Sequence, residues 1–203
     1  GMLYAPPHDC ACYPESKLYG FNALKTNSTI PEATGSRLQR GPAYERVLHR
    51  KDTGAEHQDW PTYRHDAQRR GSTPAELPAA LSESWSTQLV PPLSAVTVAG
   101  DKAFVCEIDR HTVHAVDVDS GARQWSYTAG GRIDSPPTLY QNTAIFGCAD
   151  GWIYCLDAED GTLAWRFRAA PADVRIVSYE QLESRWPVHG SVLVQDGIVY
   201  AVA

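Results

Sequence analysis

HAVDVDSGARQW at His114–Trp125 and YCLDAEDGTLAW at Tyr154–Trp165 are two versions of one phrase, forty residues apart. A self-similar period of this length marks a repeat architecture, in which each unit buries its apolar face only against the next. Val113, Ala115 and Val118 with Asp117 match Ile153, Cys155 and Ala158 with Asp157; Gly121 and Trp125 match Gly161 and Trp165. Alternating apolar residues on both sides of a glycine-bearing turn predict a β-hairpin, with the tryptophan buried on its second strand.

Working outward, each phrase follows another predicted strand pair. Ala95 to Ala99, the turn Gly100-Asp101, and Ala103 to Cys106 correspond to Pro137 to Gln141, Asn142, and Ala144 to Cys148. Each unit therefore holds four short strands. A third unit begins at Ser191 to Val194, turns at Asp196-Gly197 and continues through Ile198 to Val202. At the front, Met2 to Ala5 resembles Ile198 to Ala201, and Leu18 to Ala23 resembles Val113 to Val118. Trp85 stands one period before Trp125, so Glu83 to Leu89 is expected to supply the last strand of this first unit. The organisation is residues 1–24 as partial-unit strands, 25–81 as an irregular insertion, and 82–203 as repeats.

Ten tyrosines and six tryptophans give a chain of 203 residues ample core-filling and strand-forming surface. The net charge is −6 and no basic cluster extends beyond Arg69-Arg70, which argues against nucleic acid as a partner. No apolar run is long enough to span a bilayer as a helix. Cys106, Cys148 and Cys155 fall at strand positions and read as small buried apolar residues. In the insertion, Pro42 to Arg50 has the makings of a short helix, and the rest is expected to be extended or mobile. Trp60, Tyr63, Leu77 and Leu81 are the residues expected to pin it to the sheets.

The phrase Ala-x-Asp-x-x-x-Gly-x-x-x-Trp, filled by Ala115, Asp117, Gly121 and Trp125 and again by Asp157, Gly161 and Trp165 with Cys155 in place of the alanine, resembles the tryptophan-docking repeat of the quinoprotein alcohol dehydrogenase-like β-propellers, also called pyrroloquinoline-quinone-like repeats. The segment Asp59 to Trp85 is similar to the stretch leading into that family's first blade. The resemblance implies an all-β fold of four-stranded antiparallel blades, here two complete blades plus partial blades at each end, from a propeller of about eight blades. It implies that Trp85, Trp125 and Trp165 lock adjacent blades, and that the sequence is a piece of a longer chain. Open blade edges would then seek the rest of the propeller, a protein partner or a second copy, unless the insertion folds over one face. The resemblance alone suggests a periplasmic or other extracytoplasmic place.

Two functional classes follow: a non-catalytic binding or assembly scaffold, or part of a dehydrogenase that uses pyrroloquinoline quinone and calcium. Family enzymes stack the quinone between a tryptophan and an adjacent-cysteine disulfide, and the sequence has no Cys-Cys pair. Neither a c-type haem motif nor a Gly-x-Ser-x-Gly elbow is present. No cofactor is expected in this chain, and no catalytic residue is assigned.

If the repeats set the register, the loops between second and third strands and those between blades share one rim. Asp109, His111, Arg132, Asp134, Asp150, Arg185, Trp186 and His189 are then candidate ligand-binding residues, since the register brings them from separate loops to one side; Arg132, Arg185, Trp186 and His189 are moreover not turn formers. Rim loops tied by local salt bridges are the competing reading. His111 and His114 point to opposite faces of a strand and make no metal pair. His8, Cys10 and Cys12 are weak candidates for a zinc site that lacks a named fourth ligand, with a disulfide or free thiols as alternatives.

Overall fold

Alternation around the glycine turns becomes hairpins, and the hairpins join into sheets. The computed structural model describes residues 2–5, 22–25, 35–50, 59–178 and 180–203. In chain order the elements are β1 (Leu3–Ala5), β2 (Asn22–Leu24), β3 (Leu38–Arg40), α1 (Tyr44–Leu48), β4 (Thr97–Ala99), β5 (Lys102–Glu107), β6 (Thr112–Asp117) and β7 (Arg123–Thr128). There follow β8 (Thr138–Tyr140), β9 (Thr143–Gly147), β10 (Trp152–Asp157), β11 (Leu163–Arg168), β12 (Arg175–Ser178), β13 (Gln181–Ser184), β14 (Leu193–Gln195) and β15 (Ile198–Tyr200). The architecture is that of antiparallel propeller blades. Strands β4-β5-β6-β7 form the first complete blade and β8 to β11 the second, β14-β15 begin a third, and β1 pairs with β2.

The repeat extends below the level of strands. Phe104 pairs with Ala115 and Ala115 with Trp125, as Ile145 pairs with Cys155 and Cys155 with Trp165. Both third-to-fourth strand pairs shift register at the same place, between Ala115 and Val116 and between Cys155 and Leu156. The Thr97 hydroxyl donates to the Pro137 carbonyl of the next blade at 2.9 Å, and Thr138 donates to Val192 of the blade after at 2.8 Å. One step therefore relates blade one to two and blade two to three. Between the first two blades lies a core of Phe104, Val113, Ala115, Trp125, Phe146, Tyr154 and Leu156. A second core, with Ile145, Ile153, Cys155, Trp165 and Phe167, lies on the far side of blade two.

Two tryptophans bridge blades in the same manner. The Trp85 indole donates to the Val118 carbonyl at 2.7 Å, and the Trp125 indole donates to Ala158 at 3.0 Å. Each ring covers the glycine of the turn it meets. A Cβ on Gly121 would lie 2.5 Å from Trp85, and one on Gly161 2.6 Å from Trp125.

Three expectations require correction. Glu83 to Leu89 is not a strand: Trp85 reaches its turn from an extended segment without a sheet partner. The three tryptophans are not equally buried either. Trp125 is 9% exposed, whereas Trp85 and Trp165 are only partly covered. Leu77 and Leu81 pin nothing, being 80% and 76% exposed.

The described parts of the insertion, residues 35–50 and 59–81, carry more regular structure than their composition suggests. Strand β3 adds a fifth strand outside β11, and helix α1 sits within the expected Pro42–Arg50 window. Trp60 exchanges backbone hydrogen bonds with Val98 on the inner edge of blade one, both 2.9 Å, and the Pro61 carbonyl accepts from Leu139 on blade two at 2.7 Å. Arg69 reaches the carbonyls of Ser191 and Val192 at 3.2 and 3.3 Å. Residues 60–69 thus tie the inner strands of three successive blades together.

Candidate functional site on the long-loop rim

The loop between blades two and three folds into the hairpin β12-β13, which leans back on the rim. Its Glu183 is 1% exposed and meets the guanidinium of Arg132, itself 7% exposed, at 3.1 Å. Arg132 also pairs with Asp134 at 2.8 Å, and the other oxygen of Asp134 takes His189 Nδ1 in a very short contact. Three of the sequence candidates, Arg132, Asp134 and His189, therefore converge, with Glu183 as the fourth member of the cluster.

Burial and partners set the protonation of this cluster. Glu183 is pushed up from its ordinary value because burial disfavours its charge more than Arg132 favours it. Burial also acts on Asp134, but there His189 and Arg132 prevail and hold the carboxyl low. The Asp134 hydrogen bond raises His189 against its own partial burial.

The same hairpin organises a second pair of candidates. Gln181 stands 2.6 Å from His111 Nε2 through its oxygen and donates to Asp109 at 3.4 Å. The remaining candidates serve the loops. Asp150, 5% exposed, accepts from the Tyr154 hydroxyl at 2.6 Å and from the Trp152 amide at 3.1 Å. Arg185 lies over the Trp186 ring, 5.5 Å from its centre, and the Trp186 amide is held by Ser184 Oγ at 3.1 Å. His114 turns inward to Ser126 at 2.9 Å and Glu107 at 3.5 Å, away from His111.

These contacts brace the rim. A cleft of about 1040 Å³ opens on the opposite rim, among Asp66, Arg70, Asp101, Lys102, Asn142 and Glu159. A groove of about 650 Å³ lies beside Trp165. None of the rim candidates lines either. Among the described residues no cluster of three or more His, Cys, Asp or Glu side chains could hold a metal, and no helix is long and apolar enough to cross a membrane. His8, Cys10 and Cys12 lie outside the described residues. Sequence reasoning missed the hairpin that carries Gln181 and Glu183. Its signal was slight: the β-branched pair Ile176-Val177 and, beyond Glu180, a lone Leu182, without the period-2 alternation that marks the other strands.

Residues 78–203 match the family model described as "Outer membrane protein assembly factor BamB", a pyrroloquinoline-quinone-like repeat family. The chain belongs to this family. No curated protein matches it. Among solved structures, the chain is similar to BamB from Moraxella catarrhalis, at 29% identity over 53% of this chain and 29% of that one, with a TM-score of 0.41. It is also similar to quinohemoprotein alcohol dehydrogenase from Comamonas testosteroni, at 21% identity over 77% of this chain and 26% of that one, with a TM-score of 0.54. The chain thus spans under a third of either protein's length. The second likeness bears on the fold alone. As a family member the chain has the repeat fold that its sequence announced, and the fold itself hosts more than one activity.

Proposed function

We propose that the protein is a non-catalytic propeller module that binds a protein partner through its long-loop rim, as part of an assembly scaffold. The observation that carries this reading is the braced hairpin β12-β13. Buried Glu183 and partly covered Gln181 tie it to two different loops, while Ile176 and Leu182 stay 43% and 45% exposed. A braced hairpin that exposes an apolar side chain on each face loses less entropy on binding than a free loop and suits a protein surface better than a small molecule. The charged groups Arg132, Asp134, Glu183 and His189 are engaged with one another, which favours a bracing role over that of an acid or a base.

The family description, an outer-membrane protein assembly factor, supports a protein partner and an extracytoplasmic place. A quinone fits poorly. Cys106, Cys148 and Cys155 are single thiols, 0%, 0% and 1% exposed, and burial pushes Cys106 and Cys155 up to about 12. They offer no paired sulfurs for a ring to stack on. The residues present therefore support binding, and no redox step is assigned to them.

A photo-activatable side chain placed at Ile176 or Leu182, in cells of the source organism, tests this reading. Discrete protein adducts from these positions, and none from exposed Glu76, are expected. Equal labelling at all three positions contradicts the rim assignment. Dye reduction that depends on added quinone and calcium contradicts the non-catalytic reading.

A further inference from the structure

We propose that the outer strands of the second blade carry a docking site for an extended acidic segment of a protein partner, built on Arg166, Arg168 and Trp152 with Arg37 at its edge. The sequence shows no basic run here, because the arginines come from two distant segments. The sheet brings them together. Strand β3 lies outside β11, with Gln39 opposite Arg166, and the Arg37 carbonyl accepts from the Arg168 amide at 2.8 Å. On the other side of β11, Trp152 stands opposite Arg168 and Tyr154 opposite Arg166, so both arginines share one face with the indole.

The guanidinium groups are held in place, and held without counter-charge. Arg166 lies over the Trp152 ring, 4.4 Å from its centre, and Arg168 lies 5.9 Å from the same centre. Arg166 Nε donates to Gln39 Oε1 at 2.8 Å. Arg37 lies over Phe167 and donates to the carbonyls of Arg168 and Ala169 at 2.8 and 2.6 Å. Arg168 Nε is buried without an acceptor. Among the described residues no carboxylate pairs with any of these three, whereas Arg40, Arg46, Arg50, Arg70, Arg132 and Arg175 each have one.

Two cations over one indole repel each other, and a chain with 24 acidic against 18 basic side chains leaves them unanswered. An anion relieves that repulsion and accepts charge-assisted hydrogen bonds from the guanidinium forks. The tryptophan ring and Gln39 fix the forks before the anion arrives, so little rotamer freedom is lost on binding.

Spacing and net charge decide the form of the anion. Arg166 and Arg168 are two residues apart on one strand, so their Cα atoms lie about 6.5–7 Å apart. Acidic side chains at alternate positions of an extended segment repeat at the same interval. Arg37 and Gln39 are exposed and Arg166, Arg168 and Trp152 half-covered, an open surface that meets one side of a chain rather than enclosing a small ion. A continuous anionic surface such as a bilayer would also meet the rest of a molecule whose net charge is −6. An acidic strip touches the arginines alone. None of these contacts involves β12 or β13, so the proposal stands or falls independently of the rim reading.

The test uses the full 203-residue chain, labelled with nitrogen-15, at about 25 mM salt, where charge pairing is weakly screened. The probe is a capped peptide of alternating glutamate and threonine. The proposal expects saturable shifts of the Trp152 indole N–H and of the Arg166 and Arg168 Nε–H signals. Affinity should fall by about tenfold or more in Arg166→Gln with Arg168→Gln, and stay unchanged in Arg64→Gln, whose arginine is exposed elsewhere. The same peptide with glutamine in place of glutamate should shift nothing, which tests the charge without any variant. No shift at Trp152, an equal response to the glutamine peptide, or undiminished affinity in the double variant overturns the site. Inorganic phosphate that saturates the same signals at equal or lower concentration makes a free anion the ligand and overturns the acidic segment. Co-sedimentation with phosphatidylglycerol vesicles that is lost in the double variant makes a membrane surface the occupant and overturns it too.

Discussion

Gly161 answers two separate demands, and so does Gly121. Their φ angles of +73° and +72° suit glycine, and the tryptophan of the preceding blade lies where a side chain would begin. Gly161→Ala is therefore expected to cost about 1–3 kcal/mol from backbone strain and overpacking. Trp125→Ala should cost about 3–5 kcal/mol, the range for truncating a large buried aromatic. Urea unfolding of both variants checks this. His189 gives a test of opposite kind. Asp134 raises its pKa in the folded state, so the stability it contributes is complete below the ordinary histidine value of ~6.5 and is lost as pH rises through the raised value. Melting curves should show wild type losing more stability than His189→Gln as pH climbs above ~6.5. Asp, Gly and Trp were legible in the sequence because turn geometry dictates the first two and spacing the third. The place of Glu183 on the long-loop rim was legible too, but its burial was not, because a buried carboxylate looks like a surface one until its arginine is placed beside it.

At the scale of elements, strand pairs were legible wherever alternation flanked a turn residue, as in β5-β6 around His111 and β8-β9 around Asn142. The shared register shift after Ala115 and Cys155 was hidden, since a bulge leaves no compositional mark in so short a phrase. The strand expected at Glu83 to Leu89 fails for lack of a neighbour: a strand needs an edge to pair with, and Trp85 docks without one. Strand β3 succeeds for the converse reason, because β11 offers it a free edge. Helix α1 is too short to stand on propensity, so its clasp on Asp157 must sustain it. Arg46→Ala and Arg50→Ala together strand a buried carboxylate and should lower stability by about 1.5–3 kcal/mol. Hydrogen exchange should place the added opening at Tyr44–Leu48 and around Asp157, with the β4-β7 blade unaffected.

For the whole molecule, a single repeated step builds a fan of blades, joined at the inner edges by residues 60–69 and farther out by tryptophans on glycine turns. The fold was legible because the step is written three times in the sequence. Convergence of Arg132, Asp134 and His189 followed from the same register, whereas the bracing hairpin and the large cleft on the other rim did not. Both depend on segments outside the repeat. The lock between blades is the claim on which the rest stands. Nuclear Overhauser contacts measured on the 203-residue chain test it most directly. The account predicts contacts from the Trp125 ring to the Gly161 α-protons and from the Trp85 ring to those of Gly121, with none from Trp165 to either glycine. Absence of the first two, with the indoles exchanging freely with water, would contradict it.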